Sequence, residues 1–330
     1  MSYGIALIDE NGRRKVLRGR TIGNSISEIL WNSIVGWGYH DIGYFSGGTT
    51  GAVVTTTDGL TFSTDTTAQV TKGALSQARS NLAGANSTTL AYFSGGTTGA
   101  FVTTTDGLTF STDTTAQVTK GALSQARKGL AGANSTTLAY FSGGTIGANV
   151  TTTDGLTFST DTTAQVTKGA LSQARAYLTG ANSTTLAYFS GGSTGANLTT
   201  TDGLTFSTDT TAQVTKGALS QARSNLAGAN STTLAYFSGG TTGANVTTTD
   251  GLTFSTDTTA QVTKGALSQA RAFLAGANST TLAYFSGGTI GAFVTTTDGL
   301  TFSTDTTAQV TKGALSQARE HLTGANSGGI

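Results

Sequence analysis

The 330-residue chain has no cysteine and two histidines, and both shortages narrow its chemistry. Without cysteine no disulfide stabilises the fold, and no thiolate serves as nucleophile or metal ligand. His40 and His321 occur once each in a chain that is otherwise repetitive, so neither belongs to a site built once per repeat. Copper chemistry that needs Tyr, His and Cys together is beyond this sequence, which has no Cys. A Gly-rich phosphate loop and a calcium-loop spacing of acidic residues are both missing. The expectation is a protein that is not an enzyme and uses no cofactor and no metal. Charge is scarce as well: 11% of residues are charged and the formal net charge is +1, too little field to attract nucleic acid. No run approaches the roughly 20 apolar residues of a membrane-spanning helix. Gly4–Ile8 is too short for a secretory signal, and Asp9 and Glu10 follow it directly. No nucleic-acid partner and no membrane insertion are expected, and work outside a cell would require another route of exit.

What the chain has in abundance is repetition. Tyr-Phe-Ser-Gly-Gly recurs at Tyr44, Tyr92, Tyr140, Tyr188, Tyr236 and Tyr284, a 48-residue unit copied six times. Units this alike cannot each own a core and must bury themselves against their neighbours. Leu90-Ala-Tyr-Phe-Ser94 reads as a strand buried on both faces and stopped by Gly95-Gly96. Val-Thr-Thr-Thr and Leu-Thr-Phe110 supply further strand material. Between them, Asp106-Gly107 is either a hairpin turn or a bulge within one longer strand. Residues 111–115 are turn chemistry, 116–119 a short strand and 120–127 a loop. Leu130-Ala-Gly-Ala-Asn-Ser135 alternates small residues, as suits a strand squeezed where several sheets converge. Four strands in 48 residues is the content of a propeller blade. A solenoid would need a sub-period near 24, and Tyr92-Phe-Ser-Gly-Gly has no echo around Ala116-Gln-Val-Thr-Lys.

The predicted fold is therefore all-β, a six-bladed propeller over residues 36–330 preceded by a small element over 1–35. In that element Asn11-Gly12 predicts a hairpin between Gly4–Ile8 and residues 15–17. Asn24 or Ser25, the latter with Glu28 three residues on as in a capping box, predicts a short helix carrying Ile26, Ile29, Leu30 and Ile34. Arg13, Arg14, Lys15, Arg18 and Arg20 read as a solvated face or a polyanion site. The last copy ends in inner-strand sequence with no Tyr-Phe strand after it, whereas the first lacks an upstream inner strand. Donation of the C-terminal strand to the first blade follows, its rival being residues 35–43 with Trp37 and Tyr39.

Leu-Ala-Tyr-Phe-Ser-Gly-Gly, Leu-Thr-Phe-Ser-Thr-Asp-Thr-Thr and Ala-Leu-Ser-Gln-Ala-Arg together resemble the kelch repeat, over all six copies from residue 44 onward. The sequence departs from kelch near Ala116 and Gln117, where the family usually has Trp. Such uniform kelch-like chains also resemble those of bacteriophage tail-associated proteins. The resemblance implies a binding or display module for a host-surface glycan or protein, in the virion or outside the cell without a signal peptide. The alternatives are a cytoplasmic kelch-type interaction adaptor and an engineered or structural consensus scaffold.

Arg79, Arg127, Arg175, Arg223, Arg271 and Arg319 recur once per copy, either as an anion-binding ring around the channel or as ties to neighbouring carbonyls. Asp58, Asp65 and their copies read as turn and cap residues. The triplet at Asn86 matches a glycosylation site but sits in an inner strand. Only seven of the 48 positions differ between copies. They yield Phe101, Asn149, Asn197, Asn245 and Phe293 after the second strand, where Val53 stands in the first copy. Lys128, Tyr177, Phe273, Glu320 and His321 come before the inner strand, where Ser80-Asn81 stand in the first copy. Thr50 becomes Ile146 and Ile290, and Ala83 becomes Thr179 and Thr323. Alternating strand direction puts both stretches at one end of the propeller, the expected ligand face.

Overall fold

The computed structural model describes Gly4–Ile8, Arg14–Arg18 and residues 41–327. The chain divides into two units, Met1–Tyr39 and His40–Ile330. In the first, Gly4–Ile8 pairs antiparallel with Arg14–Arg18, Ile5 opposite Leu17. This is the hairpin expected around Asn11-Gly12; the helix expected after Asn24 lies outside the described residues.

The second unit is six four-stranded antiparallel sheets. In blade 2 the inner strand Ala83–Asn86 is followed by Leu90–Ser94, Thr105–Thr109 and the outer strand Val118–Lys120. A short 3-10 turn, Phe110–Thr112, precedes the outer strand. Blades 3 to 6 repeat this at 48-residue steps. In blade 1 the inner strand is Thr323–Asn326, paired with Ile42–Ser46 so that Ala325 faces Tyr44. Beyond the strand end, Ser327 N donates to Ile42 O at 2.9 Å. The C-terminus thus completes the first blade, as the broken repeat required. A closed ring has no exposed end blade, which removes an edge open to aggregation.

The core lies between blades rather than within them. Tyr44, Leu75, Leu82, Phe93, Leu108 and Ala325 form one cluster with half-buried Ile42 and Phe110, drawn from blades 1 and 2. Its counterpart between blades 6 and 1 holds Phe45, Leu60, Ala275, Ala277, Tyr284, Leu315 and Leu322. Each interface also stacks a Tyr on the next blade's Phe. Tyr44 and Phe110 lie 5.5 Å apart and 4° from parallel, a contact that adds about 1 kcal/mol beyond area burial. The Tyr44 hydroxyl donates to Asp113 Oδ2 at 2.9 Å, and Lys72 Nζ meets the same oxygen at 2.9 Å. Burial first, then the Asp113 carboxylate, pushes the Tyr44 hydroxyl well above its ordinary pKa.

At the axis, glycine is what lets six inner strands converge. A Cβ on Gly84 would stand 2.1 Å from Gly324 O, and one on Gly132 would stand 2.0 Å from Gly84 O. Each inner-strand carbonyl therefore points at its neighbour's glycine Cα, a close approach that also permits weak Cα–H···O contacts.

Two expectations about the aspartates need correction. Asp106-Gly107 is neither turn nor bulge, because Asp106 sits in regular register between Phe93 and Thr119. Gly107 is there because Lys120 lies over it, its Cε 2.8 Å from where a Cβ would be. Asp58 and its copies are likewise interior strand residues, fully buried.

Candidate functional site

The buried aspartates meet the recurring arginines. Arg79 Nη2 lies 2.8 Å from Asp106 Oδ2 and also donates to Phe93 O, while Nη1 donates to Gly95 O and Thr104 O. Arg127, Arg223, Arg271 and Arg319 repeat the arrangement with Asp154, Asp250, Asp298 and Asp58. Arg175 reaches Asp202 at 3.2 Å. Both side chains of every pair are 0% exposed. Burial lowers the guanidinium pKa and the paired aspartate pulls it partly back, yet arginine stays charged in proteins. The anion-ring reading fails on burial: these groups bind the strands of the blade that follows them and present no surface to a ligand. Nor is the Asn86 triplet accessible, since Asn86 is buried.

The two variable stretches do come together. Ser80 and Thr97 exchange backbone hydrogen bonds at 3.1 and 2.9 Å, and Thr97 bridges in turn to Phe101. The same three-residue ladder joins Lys128, Thr145 and Asn149, then Ala272, Thr289 and Phe293, and across the closure Glu320, Thr49 and Val53. Asn149 Nδ2 donates to Ser193 O, Asn197 Nδ2 to Thr241 O and Asn245 Nδ2 to Thr289 O, at 2.8 to 2.9 Å. These three amides therefore also tie adjacent loop tips. Phe101 does something else: Lys128 Nζ lies 5.4 Å from its ring centroid, within cation–π reach.

Nearer the axis lies a feature with no counterpart in the sequence reading. Asn81 N donates to His321 O, Gly129 N to Asn81 O, Tyr177 N to Gly129 O, Asn225 N to Tyr177 O, Phe273 N to Asn225 O and His321 N to Phe273 O, all within 2.7 to 3.0 Å. Six residues, one per blade, thus close a hydrogen-bonded crown. All six have φ between 57 and 66°. Gly129 adopts this freely, whereas a bulky residue there costs about 1 kcal/mol. Asn81 and Asn225, which tolerate left-handed backbone, hint at the conformation in sequence; Tyr177, Phe273 and His321 at the same position hide it.

The crown rims a cup of about 70 Å³ at the channel mouth, lined also by Leu82, Leu130, Leu178, Leu226, Leu274 and Leu322, whose side chains are buried in the clusters between blades. Crown backbone groups are spent on one another, so contact at the rim must come from side chains. The Tyr177 ring folds over Gly129, occupying the space a side chain there would need: a Gly129 Cβ would stand 3.0 Å from two Tyr177 ring carbons. Phe273 and His321 pack with centroids 4.1 Å apart. His321 Nε2 lies 3.5 Å from Glu320 Oε1. Burial, aided by Lys128, lowers the His321 pKa to about 4, so the ring is neutral at pH 7. Burial also raises the Glu320 pKa. Of the lysines and arginines within residues 41–327, Lys128 alone has no carboxylate within ion-pair distance. Among the described residues no group of three or more His, Asp or Glu is placed to hold a metal.

Fold and repeat together define a six-bladed β-propeller of tandem repeats. Among solved structures it is similar to one described as the structure of YjhT. The TM-score is 0.63 at 13% sequence identity, over 76% of this chain and 88% of that one. At that identity the likeness shows the fold, and a fold hosts many functions. No protein-family model and no curated protein sequence matches the chain.

Proposed function

We propose that this propeller is a non-enzymatic binding module and that the face bearing the crown recognises a glycan on a host surface. The observation that carries this reading is the crown itself. Tyr177, Phe273 and His321 are kept in left-handed backbone, where glycine would relieve the strain, and strain retained at a surface mouth is a mark of function. Concentration of the variable positions on this face supports the same reading, because the turns of the opposite face, such as Ser87-Thr88-Thr89, are identical in the complete copies. Loops in general tolerate change, but drift would touch both faces. Aromatic rings beside amides suit the apolar faces and hydroxyls of sugars. Resemblance of the repeat to phage tail-associated chains favours display on a tail or adhesin. A glycan-array screen of the full chain tests the proposal: binding should be found and lost on Phe273→Ala, and binding indifferent to every substitution on the crown face would refute it.

A further inference from the structure

Resting on that reading, we infer that the ligand is a sugar carrying an acidic group, a carboxylate, phosphate or sulfate, and that it sits off the axis over copies six, one and two with the acid on Lys128. The first observation is an asymmetry. Two variable positions, far apart within the copy, divide the ring in the same way. Counting copies from Tyr44, copies three, four and five hold Asn149, Asn197 and Asn245 at one and Ala176, Ser224 and Ala272 at the other. Copies six, one and two hold Phe293, Val53 and Phe101 with Glu320, Ser80 and Lys128. The first arc is tied to itself: each amide donates to the next loop tip, at Ser193 O, Thr241 O and Thr289 O, and Ala176, Ser224 and Ala272 are buried. In the second arc the amide is replaced by an apolar side chain, so that tie is missing. This arc also holds both formal charges found at the variable positions.

The second observation is Lys128. Each of the other lysines and arginines within residues 41–327 has an aspartate partner. Its own ammonium rests 5.4 Å from the Phe101 centroid, a contact that positions the charge without neutralising it. That charge is felt by His321, two crown positions away. An acid on the ligand supplies the partner that the described residues do not. Glu320 lies on the far side of Ser80 in ring order and repels an anion, which directs the acid to the Lys128 end and leaves the Glu320 end for hydroxyl donors. Between them, Asn81 gives its Nδ2 to Ser80 Oγ at 3.3 Å, so its Oδ1 is left to accept from a sugar hydroxyl. Rings bound the arc at both ends, Tyr177 over Gly129 and Phe273 against His321, and offer faces for the C–H side of a sugar.

The test is titration of the full chain at low salt with methyl glucoside and methyl galactoside against their uronic acids, 6-phosphates and 6-sulfates. At least one acidic derivative should bind about tenfold or more tighter than its parent, the gain from one charge-assisted contact, and added salt should erode that gain. Comparison of the three acids identifies the group. Lys128 is half-buried and makes no ion pair, so Lys128→Gln should leave the melting temperature nearly unchanged while removing the preference for the acid. Lys128→Arg keeps the charge and should keep the preference. Thr194→Ala, exposed on the same face in copy four, should bind as the wild type does. Equal affinity for acids and parents, no binding by any probe, an unchanged preference in Lys128→Gln, its loss in Lys128→Arg, or weakened binding in Thr194→Ala would overturn the inference. A neutral glycan that binds as well as its acids and is lost on Phe273→Ala would overturn it and leave the proposed function standing. Glycan binding insensitive to every substitution on this face would remove both.

Discussion

Arg319 and Asp58, 261 residues apart in the chain, form a fully buried ion pair at 2.9 Å. The arginine belongs to the last copy and the aspartate to the first blade, so this pair and the strand Thr323–Asn326 lock the ring shut. Removing residues 322–330 should open the ring, expose the edge of Ile42–Ser46 and lower the melting temperature by on the order of 10 °C or more. Calorimetry of the truncated chain checks this; an unchanged transition would mean that blade 1 does not depend on the donated strand.

The same pairing inside the ring predicts the effect of losing one arginine. Arg127→Met leaves Asp154 buried and uncompensated, which should cost about 3–5 kcal/mol. Arg127→Lys should be nearly as damaging, because an ammonium cannot reproduce the four hydrogen bonds made by the two Nη atoms. Denaturant titration gives the numbers. Sugar affinity per folded molecule should stay constant in both variants, since the guanidinium is inaccessible.

Two glycines in adjacent stretches should behave differently. Gly132→Ala places a methyl against the Gly84 carbonyl at the axis and should cost about 3 kcal/mol or more. Gly129→Ala, at φ 66°, should cost about 1–2 kcal/mol and push Tyr177 off its seat. Ligand affinity should therefore fall in Gly129→Ala but not in the folded fraction of Gly132→Ala.

The blade count, the four strands, the glycine-packed inner strand and the C-terminal closure were all legible in the 48-residue period. The pairing of Arg79 was not, because six copies carry the same Arg and the same Asp and periodicity alone cannot say which copy's Asp is the partner. Asp106 was misread for a related reason: Asp-Gly is good turn chemistry, and what overrides it is burial against an arginine from the preceding loop. The variable stretches could be traced to one face from strand direction alone. Their crown could not, since its hydrogen bonds run from each copy to the next and three of its six residues disfavour the backbone they adopt.

His321 predicts a pH dependence. Its pKa falls from 6.5 unfolded to about 4 folded, so the fold binds the neutral form. The resulting stability is complete above pH 6.5 and is lost as pH drops from there through 4. Lys128 deepens the shift, and Glu320 stands 3.5 Å away. Melting temperatures of the wild type relative to His321→Asn, which suits the same backbone, should be level above pH 6.5 and decline below it. A flat difference down to pH 4 would show that His321 is not held neutral.

The central claim is that recognition belongs to the crown face. It is tested most directly by measuring the affinity of a glycan that binds the full chain for Phe273→Ala and for Thr88→Ala, a turn residue at the far end of the propeller. Phe273→Ala should weaken binding by about 2 kcal/mol, the loss expected for an aromatic anchor, and Thr88→Ala should leave it unchanged. Full affinity in Phe273→Ala with loss in Thr88→Ala would contradict the account.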